Sequence, residues 1–137
     1  MARRASAPRR TPGDTGPLVL DSSCWLEFLT DTPRADLFAK ALEAPERLVV
    51  PVITVYEVMK KLTRELGQEV SAWAIAMMRR SEVVDIDLPL CLAAATNGLP
   101  LADSLIYATA QARGATLWTQ DAHFGGLPGV RHFPKTA

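Results

Sequence analysis

The chain has 137 residues, which is enough for one domain with a single substantial hydrophobic core. Fifteen basic and fifteen acidic residues cancel, and this balance excludes the global positive field of many nucleic-acid-binding proteins. Binding of nucleic acid through a local basic patch is not excluded by the net charge. The two cysteines, Cys24 and Cys91, lie in no metal-binding cluster and are too few for a disulfide scaffold. We therefore expect a cytoplasmic globular protein in which both cysteines are buried thiols.

The first sixteen residues are rich in Arg, Ala, Pro and Gly and show no apolar periodicity. This composition predicts a flexible basic tail over residues 1–16, followed by one domain over residues 17–137. The first apolar run, Leu18 to Leu20, is much too short for a signal peptide or a membrane span, so we expect neither.

In the first half of the domain, two short apolar runs alternate with helical patterns. Strands are predicted over residues 18–20 and 48–50, because both runs are short, apolar and contain β-branched residues. Helices are predicted over residues 23–29, from Thr32 to near Pro45, from Thr54 to Gly67, and over residues 69–80.

The second half continues the same alternation. Strands are predicted over residues 83–86 and 115–119, with a short edge strand over residues 130–133. Asp87 is predicted to cap a helix over residues 88–96, and the last helix runs over residues 100–114. The alternation predicts a single α/β domain, an α/β/α sandwich with a central parallel sheet of four to five strands.

Acidic residues follow the strands at comparable positions. Asp21 directly follows the first strand, and Asp121 lies just past the fourth. Glu57 lies in the first turn of the helix after the second strand, and Asp103 lies near the start of the last long helix. Each acid also has a structural explanation. Asp21 can cap a helix, and Glu57 can form a capping box with Thr54. The other two can stabilise a helix N-terminus and a turn.

These four acids are expected at one rim of the sheet, because functional groups of a parallel sheet lie outside the carboxyl ends of its strands. Two carboxylates about 4 Å apart repel each other by roughly 4 kcal/mol at an effective dielectric constant of about 20. A cluster of four therefore requires a cation or raised pKa values. Oxygen ligands without a nearby Cys/His cluster suit Mg²⁺ or Mn²⁺, so the pattern predicts metal-dependent phosphoryl chemistry.

Four segments that contain these acids carry a resemblance to a known family, in its order and context along the chain. They are Leu-Val-Leu-Asp21-Ser-Ser, Thr-Val-Tyr-Glu57-Val, Leu-Pro-Leu-Ala-Asp103-Ser-Leu-Ile-Tyr-Ala-Thr-Ala and Trp-Thr-Gln-Asp121-Ala-His-Phe. With these segments the chain resembles a PIN domain, and most closely the VapC-type toxins of bacterial type II toxin–antitoxin pairs. The resemblance covers residues 18–134.

The resemblance implies an endoribonuclease that hydrolyses RNA phosphodiester bonds with Mg²⁺ or Mn²⁺. Asp21 and Asp103 would be the principal metal ligands, while Glu57 and Asp121 would complete the acidic site directly or through water. Thr119 matches a hydroxyl of the family that orients water or an acid. The partner would be a VapB-like antitoxin, which would bind beside the acids and insert a basic side chain.

The chain departs from the family pattern at two positions near the acids. Ser23 stands where many members have Asn, which leaves its secondary role open. His123 replaces an acid found at that place in many relatives, so a fifth carboxylate is missing. We expect a histidine in this loop to make a hydrogen bond rather than to act in catalysis.

RNA contact would depend on local charge in the third helix. Lys60, Lys61 and Arg64 lie one to two turns beyond Glu57 and are predicted to border the acidic site, although a solvated helix face explains them equally well. The three tryptophans are expected in the core. Homodimerisation through the amphipathic helix over residues 70–78 is a further hypothesis.

Other classes of protein fit the sequence less well. The run around Asp85 and Asp87 imitates the start of haloacid-dehalogenase-type phosphatases, but too little chain follows for that fold. A receiver domain needs a lysine after a late strand, and the only lysine beyond Lys61 is Lys135. A catalytically silent PIN-like module that binds RNA or protein stays open, although all four acids are present.

Overall fold

The computed structural model describes residues 16–135, and within that range strands and helices alternate along the chain. The predicted basic tail lies outside the described residues except for Gly16. The strands are β1 (Leu18–Leu20), β2 (Val49–Pro51), β3 (Glu82–Val84), β4 (Thr116–Thr119) and β5 (Val130–His132). The helices are α1 (Ser22–Leu29), α2 (Asp36–Leu42), α3 (Val52–Leu66), α4 (Gln68–Met78), α5 (Leu88–Ala94) and α6 (Leu101–Ala112).

The described strands are paired in parallel, which confirms the predicted α/β architecture. In one sheet β4 lies between β1 and β5, and β2 pairs with β3 in a second. A single parallel bridge between Leu18 and Leu48 joins the two sheets, so the strand order is β3-β2-β1-β4-β5. In the register of β1 and β4, Leu20 lies opposite Trp118. The residues that follow these two central strands therefore emerge side by side.

Helices cover the sheet on both faces, as an α/β/α sandwich requires. Side chains alternate along a strand, so Leu18 and Leu20 enter one core cluster, with Trp25 and Phe38, and Val19 enters another, with Ile106 of α6. Residues of β1 are at most 1% exposed, as expected for a strand buried on both faces. Within residues 16–135, no helix has the length and apolar composition to cross a bilayer.

The third helix begins earlier than its sequence pattern predicts. α3 starts at Val52, directly after β2, with Pro51 at the N-cap and a φ of −60° that suits entry into a helix. Thr54 therefore lies inside the helix, where its buried hydroxyl has no hydrogen-bond partner among the described residues. The capping box of Thr54 and Glu57, the alternative explanation of Glu57, does not form, and Glu57 lies in the second turn of the helix rather than in the predicted first turn.

Smaller differences concern the ends of other elements. α2 begins at Asp36 rather than at Thr32, because the Thr32 hydroxyl accepts a hydrogen bond from the Arg34 N–H in a turn that precedes the helix. The predicted cap of α5 is confirmed, since the Asp87 carboxylate accepts the Leu90 N–H at 2.9 Å.

Two predictions about burial are wrong. Cys24 is buried, and burial raises the pKa of its thiol, but Cys91 is exposed on the outer side of α5. Trp25 is fully buried and Trp118 is partly buried, whereas the side chain of Trp73 on α4 is 47% exposed. Trp73 is thus available on the surface and does not belong to the core.

Candidate active site at the carboxyl ends of the central strands

Asp21 lies at the junction of β1 and α1 and is only 5% exposed. Its Oδ1 atom accepts the Cys24 N–H at 3.1 Å and the Ser23 hydroxyl at 2.7 Å, so it caps α1 as predicted. Its Oδ2 atom accepts the hydroxyl of Thr119 from the neighbouring strand. Both oxygens are therefore held by hydrogen bonds, which gives this carboxylate one orientation at the end of the sheet.

Thr119 is a buried hydroxyl that connects two of the acids. It donates to Asp21 across the boundary between β1 and β4, and its oxygen accepts the Asp121 N–H at 2.9 Å. A hydroxyl has one proton to donate and can accept in addition, so both interactions form at once. Thr119 thereby fixes the position of Asp121 relative to Asp21.

Glu57 reaches the same region from α3. Its Oε1 atom accepts the hydroxyl of Ser22, the first residue of α1 and the residue directly after Asp21. The side chain of Glu57 is partly buried. Ser22 was not among the residues singled out by sequence, and only this contact between residues 35 positions apart reveals its role.

Asp103 and Asp121 come together around the ring of His123. Asp103 lies in the first turn of α6, and Asp121 accepts the backbone N–H of His123 at 2.8 Å. The Nδ1 atom of His123 lies 3.1 Å from a carboxylate oxygen of each acid. His123 thus makes the hydrogen bonds expected of a histidine in this loop, and the groups beside its ring are two of the predicted site residues.

Burial raises the pKa of the Asp103 carboxyl, and the negative charge of Asp121 raises it further. The hydrogen bond and charge of His123 oppose this rise, and the charge of Glu57 adds to it. In turn, the charge of Asp121 and then the hydrogen bond to Asp103 raise the pKa of the His123 imidazole. The acids thus act on one another, and the cluster gains from any positive charge placed among them.

The donor set of this cluster fits a divalent cation. One oxygen each of Asp103 and Asp121 and one nitrogen of His123 lie within 4.8 Å of one another, close enough to contact a single ion. Among residues 16–135, Asp21 and Glu57 do not belong to this tight group, although their hydrogen bonds hold them beside it. The assignment of Asp21 as a principal ligand stays a prediction.

A second hydrogen-bond network supports the end of β4. The Glu27 carboxylate accepts the side-chain amide of Gln120 at 2.9 Å, and Arg34 donates to the carbonyl oxygen of the same amide. Gln120 lies between Thr119 and Asp121, so the network restrains the backbone that carries both residues. Sequence reasoning missed all three network residues, because their partners are distant along the chain and follow no local pattern.

The basic residues of α3 make contacts within their own helix. Lys60 lies over the Tyr56 ring, 5.5 Å from its centroid. Lys61 and Arg64 both lie 3.8 Å from the Glu65 carboxylate on the exposed side of the helix. These contacts match the solvated face that sequence left open. The predicted role of the three residues in binding RNA stays a prediction.

Comparison with known protein families gives a match that covers most of the chain. The sequence pattern of the PIN domain matches residues 18–129, which run from β1 to the loop before β5 and include all four acids. The chain belongs to the PIN domain family. This confirms the resemblance carried by the four segments. The chain has no match among curated proteins.

Several solved structures share the fold of this PIN domain. A toxin–antitoxin complex from Klebsiella pneumoniae aligns with a TM-score of 0.73 and 22% identity, over 86% of this chain and 99% of that chain. A DNA-bound VapBC complex from Salmonella typhimurium aligns with a TM-score of 0.68 and 20% identity, over 88% of this chain and 98% of that chain. The VapC20 toxin of Mycobacterium tuberculosis is described as cleaving the sarcin–ricin loop. It aligns with a TM-score of 0.69 and 19% identity, over 85% of this chain and 99% of that chain. At these identities the likeness shows the fold.

Proposed function

We propose that this PIN domain is a metal-dependent endoribonuclease and that it acts as the toxin of a type II toxin–antitoxin pair. The observation that carries the proposal is the cluster of Asp103, Asp121 and His123, with Asp21 and Glu57 held beside it. Membership of the PIN family supports a nuclease. The similar VapC20 toxin, described as cleaving the sarcin–ricin loop, supports RNA as the substrate.

The cofactor that these donors suit is Mg²⁺ or Mn²⁺, because carboxylate oxygens are hard ligands. Asp21 and Asp103 are the proposed principal ligands, and Glu57 and Asp121 complete the site directly or through water. When bound, such an ion supplies an activated water and neutralises charge on the reacting phosphate.

Two hydroxyls hold the acids in place for this chemistry. Thr119 fixes one oxygen of Asp21 together with the backbone of Asp121, so the spacing of these acids is set before substrate arrives. Ser22 holds Glu57 in the same way. Groups that are already positioned need little reorganisation during the reaction, which lowers its barrier. We therefore assign Thr119 and Ser22 as positioning residues.

The proposed partners are an RNA substrate, a VapB-like antitoxin and a second copy of the chain, all in the cytoplasm. Toxin–antitoxin complexes among the similar structures support the antitoxin. Negative charge around Asp103 favours a partner that inserts a basic side chain there. Lys60, Lys61 and Arg64 are the proposed RNA contacts, since they are exposed on the same helix as Glu57.

The test is cleavage of total cellular RNA in Mg²⁺ or Mn²⁺ by the wild type and by Asp21→Asn and Asp103→Asn. Asn keeps the shape of Asp and most of its capping ability but removes the ligand charge. We expect each variant to lose more than about 100-fold in rate, since even outer-shell changes at metal sites cost about 10–100-fold.

Asp87→Asn is the matched control, because Asp87 caps α5 through the same type of hydrogen bond as Asp21 but lies outside the acidic cluster. This variant should cleave RNA like the wild type. If the two site variants also cleave at the wild-type rate, the catalytic assignment is wrong. If neither the wild type nor any of the three variants cleaves RNA although all four are folded, the domain is a catalytically silent binding module.

A further inference from the structure

His123 occupies a position between two acids that its sequence context did not suggest. Its ring nitrogen lies 3.1 Å from Oδ2 of Asp103 and 3.1 Å from Oδ1 of Asp121. Two features hold the residue there. Its backbone N–H donates to Asp121 at 2.8 Å, and the next residue, Phe124, is fully buried. The imidazole therefore faces the acids although most of its surface is exposed.

The two distances match the geometry of a metal site. In an octahedral complex with bonds of about 2.1–2.2 Å, neighbouring ligand atoms lie about 3.0–3.1 Å apart. Nδ1 of His123 has this separation from each of the two carboxylate oxygens, and all three atoms lie within 4.8 Å of one another. An ion bound among these three atoms would contact one oxygen of each acid and the imidazole nitrogen.

We propose that His123 is a nitrogen ligand of the ion bound by Asp103 and Asp121 and that it makes the site select Mn²⁺ over Mg²⁺. This inference rests on the proposed function only in placing an ion in the acidic cluster, and the short distances among Asp103, Asp121 and His123 make Asp121 a direct ligand in it. Mg²⁺ binds almost entirely through oxygen, whereas imidazole nitrogen binds first-row transition metals well. An acid at position 123 would give this ion a third carboxylate ligand beside Asp103 and Asp121. Histidine instead removes one negative charge from the site and adds a softer nitrogen donor.

The test measures metal binding directly, with Mn²⁺ or Mg²⁺ alone and no RNA. Pulsed electron paramagnetic resonance of the Mn²⁺-loaded protein should show the nitrogen coupling of a directly bound imidazole. Labelling histidine with ¹⁵N should change this coupling, and His123→Ala should abolish it. His132→Gln is the matched control, because the ring of His132, the second histidine of the sequence, lies 3.3 Å from the Gln120 carbonyl instead of the acids. The coupling should persist in that variant.

Calorimetry of the same proteins should show the expected change in selectivity. We expect the ratio of Mn²⁺ to Mg²⁺ affinity to fall about tenfold in His123→Ala and in His123→Asp, with Mg²⁺ bound more tightly by the second variant. Bound Mn²⁺ without imidazole coupling in the wild type, or an unchanged ratio in both variants, would overturn the inference. The proposed nuclease has separate tests, which are RNA cleavage by the wild type and the loss of Mn²⁺ binding in Asp103→Asn. Either failure of the His123 inference would therefore leave the proposed function intact.

Discussion

At Asp21, one carboxylate oxygen accepts the Cys24 N–H and the Ser23 hydroxyl, while the other accepts the Thr119 hydroxyl. Capping and positioning in the site therefore use different oxygens of the same group. An ionised carboxylate has about four lone-pair positions, so these bonds leave acceptor capacity for a metal or a water. The helix-cap interpretation and the catalytic interpretation of Asp21 are compatible at the level of single atoms.

The hydroxyl of Thr119 gives a sharp test of this arrangement. Thr119→Val keeps the shape of the side chain but leaves the Asp21 oxygen and the Asp121 N–H without their partner in a buried place. We expect the free energy of unfolding to fall by about 1–3 kcal/mol, with slower RNA cleavage. Denaturant unfolding and the cleavage assay measure the two effects.

Thr119→Ser is the control for this change, because it keeps the hydroxyl and loses only a methyl group. It should retain most of the cleavage activity, with a smaller loss of stability from the missing methyl. Equal activity in the Val and Ser variants would show that the hydroxyl does not position the acids. A loss of stability without a loss of activity would assign Thr119 a structural role alone.

At the scale of elements, Glu27 joins α1 to the last segment of the described chain. Its side chain is 13% exposed and accepts the Thr32 hydroxyl at 2.6 Å, with Arg34 at 3.6 Å and Lys135 at 3.9 Å. Burial raises the pKa of the Glu27 carboxyl, but hydrogen bonds from Thr32 and Gln120 and the charges of Lys135 and Arg34 outweigh it. The net result is a pKa below the ordinary value of 4.5.

This lowered pKa predicts a pH dependence of stability. A carboxyl whose pKa is lower in the folded state stabilises that state fully above its unfolded pKa, and the contribution is lost as the pH falls through the folded pKa. Glu27→Gln should therefore lower the free energy of unfolding by about 1–3 kcal/mol at neutral pH. The difference from the wild type should begin to shrink below pH 4.5, where the unfolded chain takes up the proton, and should disappear as the pH falls through the lower pKa of the folded state. Denaturant unfolding between pH 3 and pH 7 measures both.

Glu65→Gln is the control for this experiment. Glu65 makes ion pairs with Lys61 and Arg64, but its side chain is 48% exposed. Exposed ion pairs contribute about 0–1 kcal/mol, so this variant should unfold like the wild type across the pH range. A Glu27→Gln difference that stays constant with pH would show that its effect comes from packing and not from charge.

At the scale of the whole molecule, α4 and α5 are among the helices that leave apolar side chains exposed. The buried residues of α4 are Ser71, Ala74 and Met78, so Trp73 points outward. On α5, Leu88 and Leu92 are one turn apart and are 70% and 62% exposed. Each face offers a contact to another protein, and the α4 face is the one proposed for the homodimer.

The homodimer proposal predicts different results for matched variants on these two faces. Trp73→Glu should weaken dimerisation about 30-fold or more, because loss of a tryptophan at the centre of an interface costs about 2 kcal/mol or more. Leu92→Glu should leave the dimer unchanged. Analytical ultracentrifugation over a range of concentrations measures both. A monomeric wild type contradicts the homodimer, and the reverse pattern would place the interface on α5.

The order of elements, the parallel sheet and the positions of the four acids could be predicted because each depends on local properties of the chain. Short apolar runs determine strands that are buried on both faces, and strand ends determine where acids are displayed. Asp21 illustrates this, since its place after β1 and its role as a cap both follow from neighbouring residues. The family motifs then connected the four acids to one another.

Only the tertiary structure decided which groups hold the acids. The Thr54 capping box failed because α3 continues from β2 without a loop, which no local pattern shows. The bonds of Ser22 to Glu57 and of Thr119 to Asp21 span 35 and 98 positions, and the place of His123 depends on how α6 meets the loop after β4. Such contacts arise from packing between distant elements. The sequence by itself therefore determined which acids form the candidate site, and the folded chain determined their spacing, their hydrogen bonds and the place of the histidine among them.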